Sequence, residues 1–447
     1  MTRGSKEGME PRRPALERVK GRLERWRETQ RLTREWRLMI DEFPTTLGHD
    51  VNASASTDFV VRRVFIVPGD PRSLVGSLGD EAMIGAVLSR LSDQWPHLDV
   101  GILTASQLAD DAARLRGFTP MRLWDEGADL RESVTQIRDF KPDAVIVVGA
   151  DILDGYYSVL GAIRALTLAD LCGRSGFRTV VLGFSFNKRP HQSLRSIYSD
   201  TTSAVSFNLR DRLSLERFSR FSPAPGRLVA DAAFLLRPDR DAPAVQTIKA
   251  WVGTRRAVDE HVIAFNLHPM LIRKITHLQL ERLVGSAVVT LTRLLESHRV
   301  SVVLLSHDKR PQVGDDECLR HVYQGLASSF RERVLYPTQE MNAAQVKGVV
   351  ESLDGVVSGR MHLAIASLGT GVPAVGVTDQ DKFDGLFDHF ELPQWLLVPP
   401  RLALQPDQFF GVLSSFIGSL DPLRRQIQTR LPSVIAAAER NLDGLIS

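Results

Sequence analysis

The sequence predicts an α/β fold of two successive doubly wound, Rossmann-like domains that face a cleft, with a helical extension before them. Short apolar runs of strand length alternate with segments of helix length, the pattern of parallel strands covered by helices on both faces. This rhythm occurs twice along the chain. A polar stretch with two prolines, residues 237–243, separates the two occurrences and is a candidate linker. The length of 447 residues suits two or three domains.

The predicted boundaries follow from this rhythm. They are a basic helical extension at 1–58, a first domain at 59–240, a second domain at 250–425 and a C-terminal helix at 426–447. The predicted strands are 61–67, 100–103, 144–148, 179–182, 204–207 and 228–229, then 262–265, 300–305, 334–335, 355–357, 374–377 and 396–398. Open parallel sheets bind ligands outside the carboxyl ends of their strands, so we expect functional residues directly after these segments.

The composition excludes several classes of protein. Apolar residues make up 43 % and charged residues 24 %, which is ordinary for a globular chain and excludes wholesale disorder. Two cysteines, Cys172 and Cys318, are too few for a disulfide framework or a thiolate metal site. No apolar stretch approaches the roughly 18–20 residues that span a bilayer, and the charged first ten residues do not resemble a secretory signal. These features predict a multi-domain cytoplasmic protein.

Positive charge is concentrated at the start of the chain. Residues 1–40 contain 12 Lys and Arg against 6 Glu, although the formal net charge of the whole chain is +3. Apolar residues recur there at roughly helical spacing: Leu16, Val19, Leu23, Trp26, Leu32, Trp36 and Met39. We expect a solvated helix whose narrow apolar stripe packs on the body of the protein. Contact of residues 1–40 with an anionic membrane, at its inner face, is the second interpretation. No nucleic-acid partner is expected, because the rest of the chain is slightly acidic.

A glycine-containing turn follows the first predicted strand. It reads Gly76-Ser77-Leu78-Gly79-Asp80-Glu81 and precedes an amphipathic helix at 82–91. Glycines at such a turn let backbone N–H groups approach a phosphate or a sugar at the helix N-terminus. Asp80 and Glu81 are also what the dipole of a first helical turn favours. An acceptor or phosphate loop and a simple capped turn therefore both remain open, and the absence of a Lys-Ser/Thr pair excludes a P-loop.

Two further strand ends are followed by charged residues. Arg210 and Asp211 come directly after the strand at 204–207, where a guanidinium oriented by a carboxylate could bind a ligand carboxylate or phosphate. A surface ion pair would account for the same two residues. His307 follows the strand at 300–305 and is a candidate polar contact. Residues 307–308 with 315–316 are a weak candidate for metal ligation, and a solvated loop is the preferred interpretation, so no metal is predicted.

The segment after the strand at 355–357 has the sharpest pattern. It reads Ser358-Gly-Arg360-Met-His362-Leu-Ala364, so Arg360 and His362 lie where the next helix begins. Arginine at a helix N-terminus makes an anion site, and histidine can transfer a proton near neutral pH. Lys382 follows the next apolar strand and is a candidate additional cation.

Taken together, these segments resemble the polysaccharide pyruvyl transferase family. The resemblance rests on residues 76–82, 209–214, 229–234 and 358–364, with Gly371-Val-Pro373 and Lys382 downstream, in the family's order. It covers about residues 62–390, and the Arg-x-His element at Arg360 and His362 is its most diagnostic part. Ser77 departs from the family's usual Asn, and the usual glycine-rich run is reduced to Gly149-Ala150-Asp151.

The resemblance implies a fold like that of B-type glycosyltransferases and transfer of a pyruvyl group from phosphoenolpyruvate to a sugar as a cyclic ketal. The second domain would bind the donor and the first the acceptor, a glycan or lipid-linked glycan. The implied donor-binding residues are Arg210, Arg360, His362 and Lys382. His362 is the implied proton donor, Asp211 or Asp80 would orient an Arg or act as a base, and no cofactor is required.

Two other functions remain open. A glycosyltransferase with a nucleotide-sugar donor has the same architecture, because fold does not determine chemistry. A non-catalytic homologue that binds a glycan is the third alternative, suggested by the altered Ser77 and Gly149-Ala150 positions.

Overall fold

The structure, a computed structural model, describes residues 15–42, 60–74, 76–125, 129–271, 277–310, 314–378 and 381–446. The rest of the predicted extension, 1–14 and 43–58, lies outside the described residues. The strands are β1 Arg63–Val67, β2 Asp99–Thr104, β3 Thr119–Arg122, β4 Ala144–Val147, β5 Arg178–Phe184, β6 Val205–Leu209, β7 Gly226–Leu228, β8 His261–Asn266, β9 Val300–Leu304, β10 Val334–Leu335, β11 Gly355–Ser358, β12 Ala374–Val377 and β13 Leu397–Val398.

The α-helices are α1 Ala15–Glu42, α2 Leu78–Gln94, α3 Gln107–Leu115, α4 Leu130–Phe140, α5 Val159–Arg174, α6 Leu194–Asp200, α7 Arg212–Phe221, α8 Pro243–Arg256, α9 His277–Ser297, α10 Asp316–Phe330, α11 Ala343–Val350, α12 Met361–Leu368, α13 Lys382–Asp388, α14 Pro400–Ala403, α15 Pro406–Gly418 and α16 Leu420–Glu439. Short 3-10 helices lie at Ala232–Leu235, Pro269–Leu271, Gln394–Leu396 and Arg440–Leu442. Among the described helices, none is long and apolar enough to cross a membrane.

The strands form two separate parallel sheets. The first has the order β3-β2-β1-β4-β5-β6-β7 and the second the order β10-β9-β8-β11-β12-β13. Each order reverses direction after its central strand, β1 or β8, which is the doubly wound arrangement with a ligand site at the reversal. The predicted α/β fold class of two Rossmann-like units with an N-terminal helix is therefore confirmed, and no sheet continues across residue 240.

The central strands are apolar because helices cover both faces of each sheet. All residues of β4, β9 and β12 are buried, and β1 is buried except for its first residue. Parallel strands between two helical layers are covered on both faces, so their residues are buried continuously rather than alternately. The sheets therefore fix where each strand ends, and the polar loops that follow lie at one edge of each sheet.

Helix α1 packs on α5 and forms an outer layer of the first half. Leu32, Trp36 and Met39 of α1 are buried, and Trp36 Nε1 donates a hydrogen bond of 2.7 Å to Asp170 Oδ2 on α5. Helix α5 is buried over most of its circumference, because the sheet covers one side and α1 the other. The predicted packing of a narrow apolar stripe is thus found in the second half of α1.

Replacement of Trp36 by Ala is expected to lower the free energy of unfolding by about 3–5 kcal/mol, because Trp36 is fully buried and its removal leaves a cavity over α5. Urea denaturation measures this loss. Trp26→Ala on the exposed side of the same helix is the matched control and should change stability by about 0.5 kcal/mol or less. Equal effects of the two substitutions would contradict the packing of α1.

The C-terminal segment returns to the first sheet. Asn441 Oδ1 accepts a hydrogen bond of 2.7 Å from the buried Gly183 N–H of β5, and Asn441 Nδ2 donates to Ala230 O at 2.8 Å. The backbone N–H of Ala230 in turn donates to Ala437 O at 3.1 Å. The last helices therefore join the second sheet to the first half of the molecule.

Candidate active site

Loops at the carboxyl ends of strands from both sheets face each other across the interface. The first sheet supplies residues after β1, β4, β5, β6 and β7, and the second supplies residues after β8, β9, β11 and β12. The polar residues of these loops include Asp80, Asp151, Ser185, Arg210, Asp231, His307, Asp308, Arg360, His362 and Lys382. These residues lie where the sequence predicts functional residues, directly after the ends of parallel strands.

Asp231 lies at the centre of the group, between Arg210 and His362. Arg210 Nη1 donates to Asp231 Oδ2 at 2.8 Å, and Arg210 Nε donates to Ser185 Oγ at 2.8 Å. Both Arg210 and Asp231 are only 2 % exposed. His362 Nε2 lies 3.6 Å from the same Asp231 oxygen. One carboxylate thus holds a buried guanidinium and faces the imidazole.

The imidazole of His362 is confined by the first domain. A Cβ atom at Gly79 would lie 2.4 Å from His362 Nδ1, so only glycine at that position leaves room for the ring. His362 Nε2 is buried and has no hydrogen-bond partner among the described residues. Burial lowers the pKa of His362, and the Asp231 carboxylate opposes this shift. The free site therefore holds a neutral imidazole whose unpaired nitrogen is available to a ligand.

Lys382 contributes a second cation from the start of α13. Its Nζ donates to Asp151 Oδ2 at 2.8 Å across the interface. Burial alone would raise the pKa of Asp151, but Lys382 and Arg210 outweigh it and hold this pKa below its usual value. Ala150 precedes Asp151 with a φ of 45°, a left-handed conformation that favours glycine. The alanine at this position therefore costs local strain.

An open cleft of about 290 Å³ adjoins this centre. Its lining is mostly polar and includes Asp151, Asp154, Tyr156, Ser185, Arg217 and Lys382. Burial raises the pKa of Asp154 to about 6, although the backbone N–H groups of Tyr156 and Asn187 donate to its carboxylate. The cleft has the polar character and the size expected of a site for a hydrophilic ligand such as a sugar.

Arg360 belongs to a neighbouring ion-pair cluster. Its Nε donates to Asp315 Oδ1 at 2.8 Å, and its Nη1 lies 3.0 Å from Asp308 Oδ2. Asp308 also accepts from Arg310 Nη2 at 2.7 Å. Two carboxylates therefore hold Arg360 where the sequence predicts a free anion-binding side chain. A donor anion would compete with Asp308 and Asp315 for this guanidinium.

The predicted binding loop joins the two halves of the molecule. Lys309 N–H donates to Gly76 O at 2.9 Å, and Ser77 forms an isolated antiparallel bridge with Asp308. Asp80 lies against Gly69, where a Cβ would be 2.5 Å from its Oδ2. Burial raises the pKa of Asp80 to about 7, against the opposing charge of Arg310. The loop thus places a carboxyl group of near-neutral pKa next in sequence to Gly79, the residue that confines His362.

His307 lies near His362 and Arg360, whereas Asp211 is held in a helix cap. Burial lowers the pKa of His307 to about 3, with further contributions from His362 and Arg360, so His307 is neutral. The Asp211 carboxylate caps α7, accepting from Ser214 N at 2.7 Å and Ser214 Oγ at 2.8 Å. A Cβ at Gly385 of α13 would lie 2.4 Å from Asp211 Cγ. Asp211 therefore secures the contact of α7 with α13.

The short 3-10 helix after Asp231 is fixed at both ends. Asp231 Oδ1 accepts from Ala233 N at 2.9 Å at its start. At its end, Lys347 Nζ of α11 donates to Phe234 O at 2.9 Å, and burial lowers the pKa of this lysine to about 8. A residue of the second half thus positions the segment that presents Asp231.

Four acidic residues of the site are not among the predicted donor-binding, acceptor-binding or catalytic residues: Asp151, Asp231, Asp308 and Asp315. Asp231 is inside a segment that supports the family resemblance, and it follows β7 by three residues, so the strand-end rule would have found it. The expected solvated loop at 307–316 is wrong for Asp308 and Asp315, which are buried because Arg360 pairs with both. Among the described residues, no group of His, Cys, Asp and Glu could hold a metal ion.

Comparison of the sequence with known families identifies the family, and comparison with solved structures identifies the fold. The model of the family described as Polysaccharide pyruvyl transferase matches residues 78–381. No curated protein sequence matches the chain. Three similar solved structures are a UDP-N-acetylglucosamine 2-epimerase, the Neisseria meningitidis UDP-GlcNAc 2-epimerase bound to UDP-GlcNAc, and TcCGT1 in complex with UDP.

These three structures share the fold at low sequence identity. The first has a TM-score of 0.55 and 11 % identity, with 86 % of this chain and 95 % of that chain covered. The Neisseria enzyme has a TM-score of 0.53 and 12 % identity, with 86 % of this chain and 99 % of that chain covered. TcCGT1 has a TM-score of 0.52 and 12 % identity, with 86 % of this chain and 98 % of that chain covered. The structural similarity establishes the two-domain glycosyltransferase-like fold. Sequence identities this low establish nothing about the reaction.

Proposed function

The chain belongs to the polysaccharide pyruvyl transferase family, and on that premise we propose that it transfers the pyruvyl group of phosphoenolpyruvate to two hydroxyls of a sugar. The acceptor is a polysaccharide or its lipid-linked precursor, and the products are a cyclic ketal and phosphate. The observation that supports this proposal is the buried, unpartnered His362 Nε2 facing an Asp231 carboxylate that Arg210 holds.

Binding of the donor requires cations at the centre. Arg210 and Lys382 both act on Asp151 and on His362 electrostatically, so both lie near the place that we assign to the donor. Arg210 suits a carboxylate or phosphate because its fork makes paired hydrogen bonds. In this proposal Arg360 breaks its ion pair with Asp308 and binds the donor's anionic oxygens instead.

The proposed chemistry is a sequence of proton transfers and additions. His362 protonates the methylene carbon of the donor, and a sugar hydroxyl attacks the resulting oxocarbenium-like carbon. Phosphate leaves, and a second hydroxyl closes the ketal. The two hydroxyl protons end on the new methyl group and on the released phosphate, so the reaction consumes and produces no net proton. Asp231 orients the imidazole and stabilises its protonated form.

The base toward the sugar hydroxyl is Asp80 rather than Asp211 in this proposal. Asp211 is committed to the cap of α7, and its two oxygens each accept a hydrogen bond from Ser214. Asp80 has a pKa of about 7 and lies in the loop whose Gly79 contacts His362. A carboxyl group with a near-neutral pKa suits general base catalysis.

The pH profile of kcat/KM is expected to fall above about pH 7 and to change its shape in Asp80→Asn. Asp80 acts deprotonated with a pKa of about 7, whereas His362 acts protonated with a pKa below its usual value because it is buried. The pKa of the acid, His362, is lower than the pKa of the base, Asp80. Between these two pKa values the active fraction of the enzyme is constant, and above the higher one it falls. The alkaline limb of the wild-type profile therefore reports the pKa of Asp80. In Asp80→Asn this limb should move below pH 6.5, where His362 titrates. The donor's phosphate titrates equally in both enzymes, so an unchanged limb would contradict the role of Asp80.

Phosphate release from phosphoenolpyruvate across a panel of acceptor glycans tests the proposed function. We expect release that depends on both donor and acceptor and disappears in His362→Gln. Thermal-shift assays with phosphoenolpyruvate and with UDP separate the alternatives. Stabilisation by UDP and none by phosphoenolpyruvate would instead support a nucleotide-sugar-dependent transferase. The Neisseria epimerase is bound to UDP-GlcNAc and TcCGT1 to UDP, which is why UDP is the probe. Stabilisation by glycans without any turnover would support a non-catalytic homologue.

A further inference from the structure

Helix α1 has an inner and an outer face with different chemistry. The inner face, with Leu32, Trp36 and Met39, packs on the first half of the molecule. Besides the exposed Gln30 and Asp41, the outer face carries Leu23, Trp26, Arg27, Arg34, Arg37 and Leu38, and all six are exposed. Trp26 is 58 % and Leu38 is 60 % exposed. We call these six residues the basic face. A tryptophan and two leucines between arginines make an amphipathic surface that the fold leaves uncovered.

The arginines of the basic face are available to an external anion. Arg31, beside this face, pairs with Glu28 and Glu35, whereas Arg27, Arg34 and Arg37 have no ion pair among the described residues. The excess of basic residues over 1–40 adds to the attraction of an anionic surface.

The orientation of α1 places the first part of the basic face, Leu23, Trp26 and Arg27, toward the cleft. Arg164, near the start of α5, lies 3.3 Å from Glu28, and Asp170, further along α5, binds Trp36. The two helices therefore run parallel. Helix α5 begins at Val159, shortly after Asp151 in the cleft, so the N-terminal half of α1 lies at the cleft edge of the first sheet. Tyr157, 45 % exposed, lies at the same edge and contacts Asp151 through its hydroxyl.

We propose that the basic face binds the surface of an anionic lipid membrane and holds the mouth of the cleft beside it. Arginines contact lipid phosphates, while Trp26 and the two leucines enter the headgroup region, where amphipathic aromatic side chains are favoured. The acceptor is then a glycan on a lipid carrier. The choice of acceptor rests on the proposed function, but the membrane contact does not.

Sedimentation with lipid vesicles tests the contact without measuring turnover. The full chain should bind vesicles of phosphatidylcholine mixed with phosphatidylglycerol and not vesicles of phosphatidylcholine alone. Each arginine is expected to contribute about fivefold, so the triple variant Arg27→Gln, Arg34→Gln, Arg37→Gln should lower the partition coefficient about a hundredfold. The control variant Arg320→Gln, Arg331→Gln, Arg401→Gln removes three exposed cations of the second half and should bind normally. Equal loss in the two variants would overturn the proposal.

Tryptophan fluorescence tests the apolar part of the contact. Anionic vesicles should shift the emission of the wild type to shorter wavelength, and Trp26→Phe should abolish this shift. Trp395→Phe, which removes an exposed tryptophan of the second half, should preserve it. A shift that persists in Trp26→Phe, or binding of duplex DNA in preference to anionic vesicles, would overturn the proposal. Phosphate release with a soluble acceptor should be unchanged in the triple arginine variant, so failure of the contact and failure of the proposed reaction are distinguishable.

Discussion

His362→Gln is expected to lower turnover by about 10²–10⁴ while phosphoenolpyruvate still binds. The glutamine amide can replace a hydrogen bond of the imidazole, but it cannot transfer a proton at neutral pH. His362 is the only proposed group that delivers a proton to the donor carbon, so the effect should fall on kcat rather than on donor affinity. Single-turnover phosphate release and calorimetric titration with phosphoenolpyruvate measure the two quantities separately.

The matched control for this substitution is His321→Gln on α10, an exposed histidine outside the interface, which should leave both quantities unchanged. Loss of donor binding in His362→Gln with normal turnover at saturating donor would make His362 a ligand contact. Normal turnover and normal binding together would contradict the proposed reaction.

Arg210→Lys is expected to weaken donor binding about tenfold to a hundredfold, because a charge-assisted hydrogen bond is worth roughly 1.5–3 kcal/mol. Lysine keeps a positive charge beside Asp231, so the buried carboxylate is not left unpaired. An ammonium group lacks the planar fork that reaches Ser185 and Asp231 together, and no equivalent geometry remains for the donor. Titration with phosphoenolpyruvate measures the loss.

Arg212→Lys is the control for this second substitution, because Arg212 is exposed at the start of α7, two residues away. It should bind the donor as the wild type does. Urea denaturation of Arg210→Lys separates a local effect from unfolding. Unchanged donor affinity in a folded Arg210→Lys protein would place the donor elsewhere in the cleft.

The strands were largely predictable because parallel strands between helical layers are continuously apolar. Twelve of the thirteen strands found in the described part of the chain overlap predicted segments. The exception is β3, Thr119–Arg122, at the edge of the first sheet. Its residues are exposed or half-buried and include Pro120, so neither apolar periodicity nor strand propensity indicates a strand there. Pairing with β2, a tertiary contact, is what makes this segment extended.

Most of the site residues that the sequence predicted are basic. Arg210, Arg360, His362 and Lys382 follow strands, and residues with such side chains at strand ends are uncommon enough to be noticed. Their acidic partners could not be assigned, because Arg360 meets Asp315 across 45 positions of sequence and Lys382 meets Asp151 across 231. In sequence alone, Asp211 and Asp231 look alike. Asp211 caps a helix with both oxygens, whereas Asp231 caps a short turn with one oxygen and faces His362 with the other.

The return of the C-terminal segment to the first sheet has a consequence for the order of synthesis. The amide of Gly183 in β5 is buried and has Asn441 as its partner, and Asn441 lies 258 residues later in the chain. Domains generally fold as their sequence emerges, beginning at the N-terminus. Here the first sheet can form early, but β5 keeps an unsatisfied donor until Asn441 has been synthesised. The nascent first half therefore reaches its full stability only after the second half has folded and brought Asn441 back to it.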